Sequence, residues 1–113
     1  MARVPNIEQA VIDPVKLHGY VLSTSHPVGR FKSRFFRALG YDADEWSLLD
    51  RDLRAHVRDH DVVRTEENEF GRKYEVRGTI CGPSGRSAEI ASVWIILRDE
   101  DRPRLITTFP ADN

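Results

Sequence analysis

The stretch that most restricts what this chain can fold into is RSAEIASVWIILR, residues 86–98. Its β-branched and aromatic residues suit the pleated, partly buried surface of a strand. Ala88, Ile90, Ser92, Trp94 and Ile96 alternate with Glu89, Ala91, Val93, Ile95 and Leu97. From Val93 to Leu97 both sets are apolar, which predicts a central strand covered on both sides there. A central strand needs neighbours, and the flanking segments supply them. DVVRTEENEFGRKYEVRGTIC reads as a hairpin turning around Phe70 and Gly71. GPSG at 82–85 is a second turn, DEDRP a third, and RLITTFP a last strand. Within the hairpin, Tyr74, Val76, Gly78 and Ile80 alternate with Glu75, Arg77, Thr79 and Cys81, so one face of the sheet is expected dry and the other partly wet.

The first half carries helix signals. In IDPVKLHGYVL, Asp13 is placed to cap and Pro14 to occupy the first helical position, while Gly19 weakens the interior. A second helix ends at Gly40, the residue type favoured just past a helix terminus. YDADEWSLLDRDLRAHVRDHD is the third, with Asp42 or Asp44 as cap and Trp46, Leu49, Leu53 and Val57 on one face. The sum is an α+β fold, two or three N-terminal helices packed on a four-stranded antiparallel β-meander, and residues 1–113 suit a single domain.

Composition narrows the function. No apolar run is long enough to span a bilayer and no secretory signal is apparent, so a membrane role is not expected. The single cysteine, Cys81, excludes an internal disulfide framework, gives no expectation of a disulfide-linked partner and fits a reducing cytoplasm. A net charge of -1 argues against non-specific coating of nucleic acid. Charge is nonetheless segregated. Arg30, Lys32, Arg34 and Arg37 sit in a segment free of acids. Residues 41–70 then carry Asp42, Asp44, Glu45, Asp50, Asp52, Asp59, Asp61, Glu66, Glu67 and Glu69 against Arg51, Arg54, Arg58 and Arg64. That acidic segment is a candidate surface for a protein partner, and the basic one leaves RNA possible as a ligand.

HPVGRFKSRFFRALG, residues 26–40, holds the most informative anomaly. At about 100° per residue, Val28, Phe31, Phe35, Phe36 and Leu39 share an apolar sector with arginines opposite. Lys32 projects into the middle of that apolar sector. It either snorkels past the helix end or points across the sheet to hold an anionic group. His26, at the helix entrance, is a candidate general acid or base, and Arg30 a candidate phosphate contact beside the helix N-terminus. Arg77, Thr107 and Thr108 are candidates for a polar floor under Lys32. Tyr74 and Trp94 are candidates to stack a base. His56 and His60 stand at i, i+4, but nothing nearby completes a metal site, and GPSG lacks the helix and lysine of a phosphate loop. Neither a metal nor another cofactor is expected.

From about Pro5 to Pro110 the chain resembles a family of small bacterial domains of unknown function. The residues that carry the resemblance are HPVGRFKSRFFRALGY, ENEFGRKYEVRGTI, GPSGR, VWII and PRLITTFP, against HPxGxxKAxFFxxLGF, E…G.RY.V.G, TPDGR, VW.I and PRLVTAYP. Ser33 replaces Ala, GPSG replaces TPDG, and Thr108-Phe109 replaces Ala-Tyr. The family is similar to the barnase/EndoU/RelE-type ribonuclease fold, which also places helices before a four-stranded antiparallel sheet. The resemblance implies an active site of His, Lys, Arg, Thr and Tyr on the sheet face and at a helix start. Some relatives have His directly before the lysine; here that position is Phe31.

Two functions are therefore expected from the sequence. The first is a non-catalytic protein-binding or regulatory module, such as one partner of a toxin–antitoxin-like pair, with Lys32 paired to Glu75 or Glu89. The second is a metal-independent ribonuclease or toxin-like domain, with His26, Lys32 and Arg77 catalytic and Arg30, Tyr74, Trp94, Thr107 and Thr108 binding substrate.

Overall fold

The computed structural model describes residues 2–23 and 30–111, with the side chains of Arg30 and Phe31 outside that description. Helix α1 (Pro14–Lys16) begins as its sequence dictates: Asp13 caps it by accepting from the Val15 N–H at 3.0 Å. It runs directly into a π-helical turn, Leu17–Val21, in which the Leu22 N–H reaches the Leu17 carbonyl. The wider turn falls around Gly19 and drives Leu17, Val21 and Leu22 into the core.

Helix α2 (Arg30–Ala38) stops at Gly40, whose φ of 102° lies in the left-handed region. The Tyr41 N–H bonds to the Phe36 carbonyl and the Gly40 N–H to the Arg37 carbonyl, the paired bonds of a Schellman cap. A side chain at Gly40 would also collide with the Ser84 backbone. Ser84 is held there because its N–H and its Oγ both donate to the Leu39 carbonyl. The 82–85 turn thus docks on the C-terminus of α2 and ties the helices to the sheet.

Asp42 accepts from the Asp44 N–H and opens a 3-10 turn, Ala43–Glu45, which leads into α3 (Trp46–Asp59). The buried stripe of α3 is Leu49, Leu53, His56 and Val57, helical spacing that includes a histidine.

The sheet is a meander in the order β1 (Val62–Glu67), β2 (Gly71–Cys81), β3 (Ser87–Leu97), β4 (Arg104–Pro110), every pair antiparallel. The first turn is organised by Asn68, whose Oδ1 accepts from the N–H groups of Phe70 and Gly71. It is centred ahead of the expected Phe70–Gly71 position, because Asn can supply the acceptor that a turn needs. Val11 pairs with the outer edge of β4 near Arg104, so that edge is partly closed.

One sheet face is dry. Val76, Ile80, Ile90, Trp94 and Leu105 are all buried there beneath the helices. A polar chain crosses this core. Trp94 Nε1 donates to Ser92 Oγ at 2.9 Å, Ser92 Oγ lies 3.0 Å from His56 Nδ1, and His56 Nε2 lies 3.2 Å from the Gly78 carbonyl. The Gly78 carbonyl can only accept, so Nε2 carries the proton and Nδ1 accepts from Ser92. Desolvation by burial pushes His56 down to about 4. The other face differs from expectation: the helices do not cover it, and Val93 and Ile95 stay half-buried on an open surface.

Candidate functional site

Beyond this core, the sequence anomaly at Lys32 resolves at the sheet edge. Of the helices, α2 packs against strand β4, and Lys32 reaches across to it. Its Nζ donates to Thr107 Oγ1 at 2.8 Å. The ammonium also stands 5.1 Å from the centre of the Tyr20 ring and 5.9 Å from that of Phe109. Both distances are within the range of cation–π attraction. Lys32 is half-buried, and among the described residues it forms no ion pair with a carboxylate. The expected pairing to Glu75 or Glu89 does not occur. Glu75 takes Arg77 at 2.6 Å, and Glu89 accepts from Thr79.

A β-bulge aims Thr107 at this point. Val93 pairs with Thr107 while Trp94 pairs with Leu105, so Ile106 is an extra residue in β4. Without it, Leu105 and Thr107 would share a face. With it, Leu105 enters the core and Thr107 joins the open side. Thr108 falls opposite Ser92, is fully buried, and donates to the Ala91 carbonyl. The expectation of a floor built from both threonines is thus half corrected: Thr107 meets Lys32, while Thr108 belongs to the core.

The remaining candidates separate. Arg77 is exposed on the open face, pairs in register with Ala91 and bonds to Glu75, so it shares the face of Lys32 but lies two strands inward from β4. Trp94 is 0% exposed, which corrects its expected role in base stacking. Tyr74 lies opposite Trp94 on the helix side, half-buried against the core and on the other face from the Lys32–Thr107 contact. His26 and the side chain of Arg30 lie outside the described residues. His56 and His60 have ring centres 4.8 Å apart, but both nitrogens of His56 are engaged within the core, and His60 Nδ1 faces the His56 carbonyl at 2.9 Å. Tyr41 is also committed: its hydroxyl donates to Asp52, and burial together with that carboxylate pushes the phenol up.

Sequence reasoning missed Tyr20 and Phe109 as the rings around the ammonium, and it missed the adjoining cleft. That cleft, about 210 Å³, opens on the bare face between Arg64, Glu66, Lys73, Glu75, Val93 and Phe109. The half-buried apolar residues on the open side of β3 were its only signal in the sequence.

The acidic segment is less acidic in space than in sequence. Asp42, Asp61, Glu66 and Glu67 pair with Arg37, Arg3, Lys73 and Arg72, all from outside residues 41–70. Asp50, Asp52 and Asp59 pair with arginines of α3 itself. No helix among the described residues is long and apolar enough to cross a membrane, and no group of three His, Cys, Asp or Glu there is placed to hold a metal ion.

The chain belongs to a domain family of unknown function, DUF6883, whose profile matches residues 3–112. Among solved structures it is similar to a chain described as "Contact-dependent growth inhibition toxin - immunity protein complex from Klebsiella pneumoniae 342", with TM-score 0.70 and 23% identity over 95% of this chain and 97% of that one. At that identity the likeness shows a shared fold. No curated protein matches.

Proposed function

We propose that the protein is a toxin-type ribonuclease that cleaves RNA phosphodiesters without a metal ion. The observation that carries this reading is Lys32: a half-buried ammonium, bonded to a hydroxyl and flanked by two rings, with no carboxylate counter-charge among the described residues. Half-burying a charge without an opposite charge is costly unless an anion completes the site, and a phosphate does so. A chain from a toxin–immunity complex either carries the toxic activity or blocks it, and a cation left open on a bare sheet face favours the first.

In the proposed reaction the ribose 2′-oxygen attacks phosphorus and the bond to the 5′-oxygen breaks. The products are a 2′,3′-cyclic phosphate and a 5′-hydroxyl. Charge builds on the non-bridging oxygens as the phosphorane forms. Lys32 Nζ stabilises it there, in a site that aromatic rings partly shield from water. Thr107 accepts from Lys32 and keeps its own hydroxyl proton to donate to a phosphoryl oxygen. His26 is assigned the proton transfers, since Phe109 offers no phenol for them. Arg77 serves the flanking phosphate. Single-stranded RNA labelled at one end, incubated with the protein in excess chelator, should give fragments ending in cyclic phosphate. Intact RNA across neutral and mildly acidic pH would defeat the reading.

A second reading, a protein-binding module, is favoured by Phe70, which is 64% exposed at the tip of the β1–β2 hairpin beside Glu69. Its partner would bind measurably more weakly to Phe70→Ala.

A further inference from the structure

We propose that the free edge of β1 pairs with β1 of a second copy of this chain, antiparallel about Thr65, so that the two four-stranded sheets join into one. This self-association goes beyond the RNA reading and stands without it. The two edges of the sheet are finished differently. At β4, Val11 closes the edge: its N–H donates to the Pro103 carbonyl, and its carbonyl accepts from the Leu105 N–H. At β1, the Ala2 carbonyl accepts from the Val62 N–H, and among the described residues no other backbone bond reaches that edge from outside the sheet. Val63 to Glu67 are all exposed. The Asn68 N–H donates to the Gly71 carbonyl. Antiparallel alternation then turns the backbone groups of Arg64 and Glu66 toward β2, and those of Thr65 and Glu67 outward.

Charges on an edge strand usually repel another strand. Here their order attracts a copy. Pairing about Thr65 sets Arg64 opposite Glu66 of the second copy, and Glu66 opposite Arg64 of the second copy. Both side chains are free to make these contacts, being 70% and 53% exposed. Within the chain Glu66 lies 3.8 Å from Arg64 and 3.6 Å from Lys73, against 2.6 Å for the tight pair of Arg77 and Glu75. A ladder centred on Glu66 or Glu67 would set that carboxylate against its own copy, so the charges admit one register. The Thr65 N–H then donates to the Thr65 carbonyl of the second copy, and the bond is returned. The bulge at Val63 and the Ala2 carbonyl on Val62 end the ladder. It is therefore short, and the association belongs to the weak, transient class. The two-fold axis stands normal to the sheet. Both open faces share one side, and the clefts bordered by Arg64 and Glu66 meet at the seam.

Sedimentation of the full chain at concentrations up to about 1 mM, the range a weak interface requires, tests this, with unfolding curves for every variant. Wild type should show a monomer–dimer equilibrium. Arg64→Glu and Glu66→Arg should each weaken self-association by about tenfold or more, since each turns two attractive cross-strand pairs repulsive. The two variants mixed should associate with each other more tightly than either does with itself. Thr65→Pro removes an N–H that points away from β2, so it should leave the fold intact and abolish the dimer. Cys81 is the one cysteine of the chain and is exposed, so a spin label there reads the geometry directly. It lies seven residues along β2 from Tyr74, the residue opposite Thr65. Strand rise and spacing then put the two labels about 45–50 Å apart across the two-fold axis. A protein that stays monomeric at the highest concentration would overturn the proposal. So would a dimer that survives Thr65→Pro, or labels at a clearly different separation.

Discussion

The two faces of the sheet are made by the same strands and obey different rules. On the helix side the polar groups beneath α3 form a closed chain: Trp94 donates to Ser92, Ser92 to His56, and His56 to the Gly78 carbonyl. On the open side Arg77 pairs with Glu75 and Lys73 with Glu66, but Lys32 is answered by a neutral hydroxyl. The first arrangement holds the fold, because buried polar groups are tolerated when satisfied. The second leaves binding capacity unused. The contrast teaches that burial alone does not locate function here. His56 is the most deeply buried ionisable group of α3, and its bonds are structural. Lys32 is only half-buried, and no carboxylate among the described residues answers its charge.

The contrast can be broken first at Trp94. Trp94→Ala should cost about 3–5 kcal/mol in denaturant unfolding, because it opens a cavity under the helices and strands Ser92. Acid should act on the same side. His56 titrates near 6.5 in the unfolded chain and near 4 in the folded one, so the unfolded chain binds the extra proton between those values. Stability should therefore be full above pH 7 and fall as pH drops through that window, by a total on the order of 3 kcal/mol. Burial outweighs the opposing backbone bonds to Gly78 and Ile90; of the titratable groups facing His56, His60 reinforces the shift and Glu89 weakly opposes it. Unfolding free energies measured from pH 7.5 to pH 4 check the slope, which a His56→Gln variant should lack.

Smaller effects sharpen the comparison. Ser33 is buried in α2 with its hydroxyl unbonded among the described residues. Ser33→Ala should stabilise the protein by about 1 kcal/mol, since it removes a desolvated group that gains nothing. On the open face, Arg77→Ala should change stability by less than about 1 kcal/mol, because its pair with Glu75 is partly exposed. A large loss there would erase the distinction between the faces.

The architecture was legible because local signals agreed with one another. The cap at Asp13, the stop at Gly40 and the alternation along β2 and β3 each depend on neighbours in sequence. Lys32 was legible for the same reason, as a violation of its own helix's pattern. What escaped depends on long-range register. One extra residue at Ile106 decides that Thr107 faces out while Thr108 faces in, and strict alternation cannot reveal a bulge. Trp94 and Tyr74 looked like base platforms because aromatic side chains suit both a core and a ligand. Pairing across β2 and β3 placed them under the helices. The acidity of 41–70 was a count along the chain, which Arg3, Arg37, Arg72 and Lys73 reduce in space.

The most direct test of the central claim is the RNA cleavage rate of Lys32→Ala beside wild type, with unfolding curves for both. Loss of at least about a hundredfold in rate with the fold retained is expected, the scale of removing one stabilising donor from a developing oxyanion. Wild-type cleavage that survives in the folded Lys32→Ala protein would contradict the account.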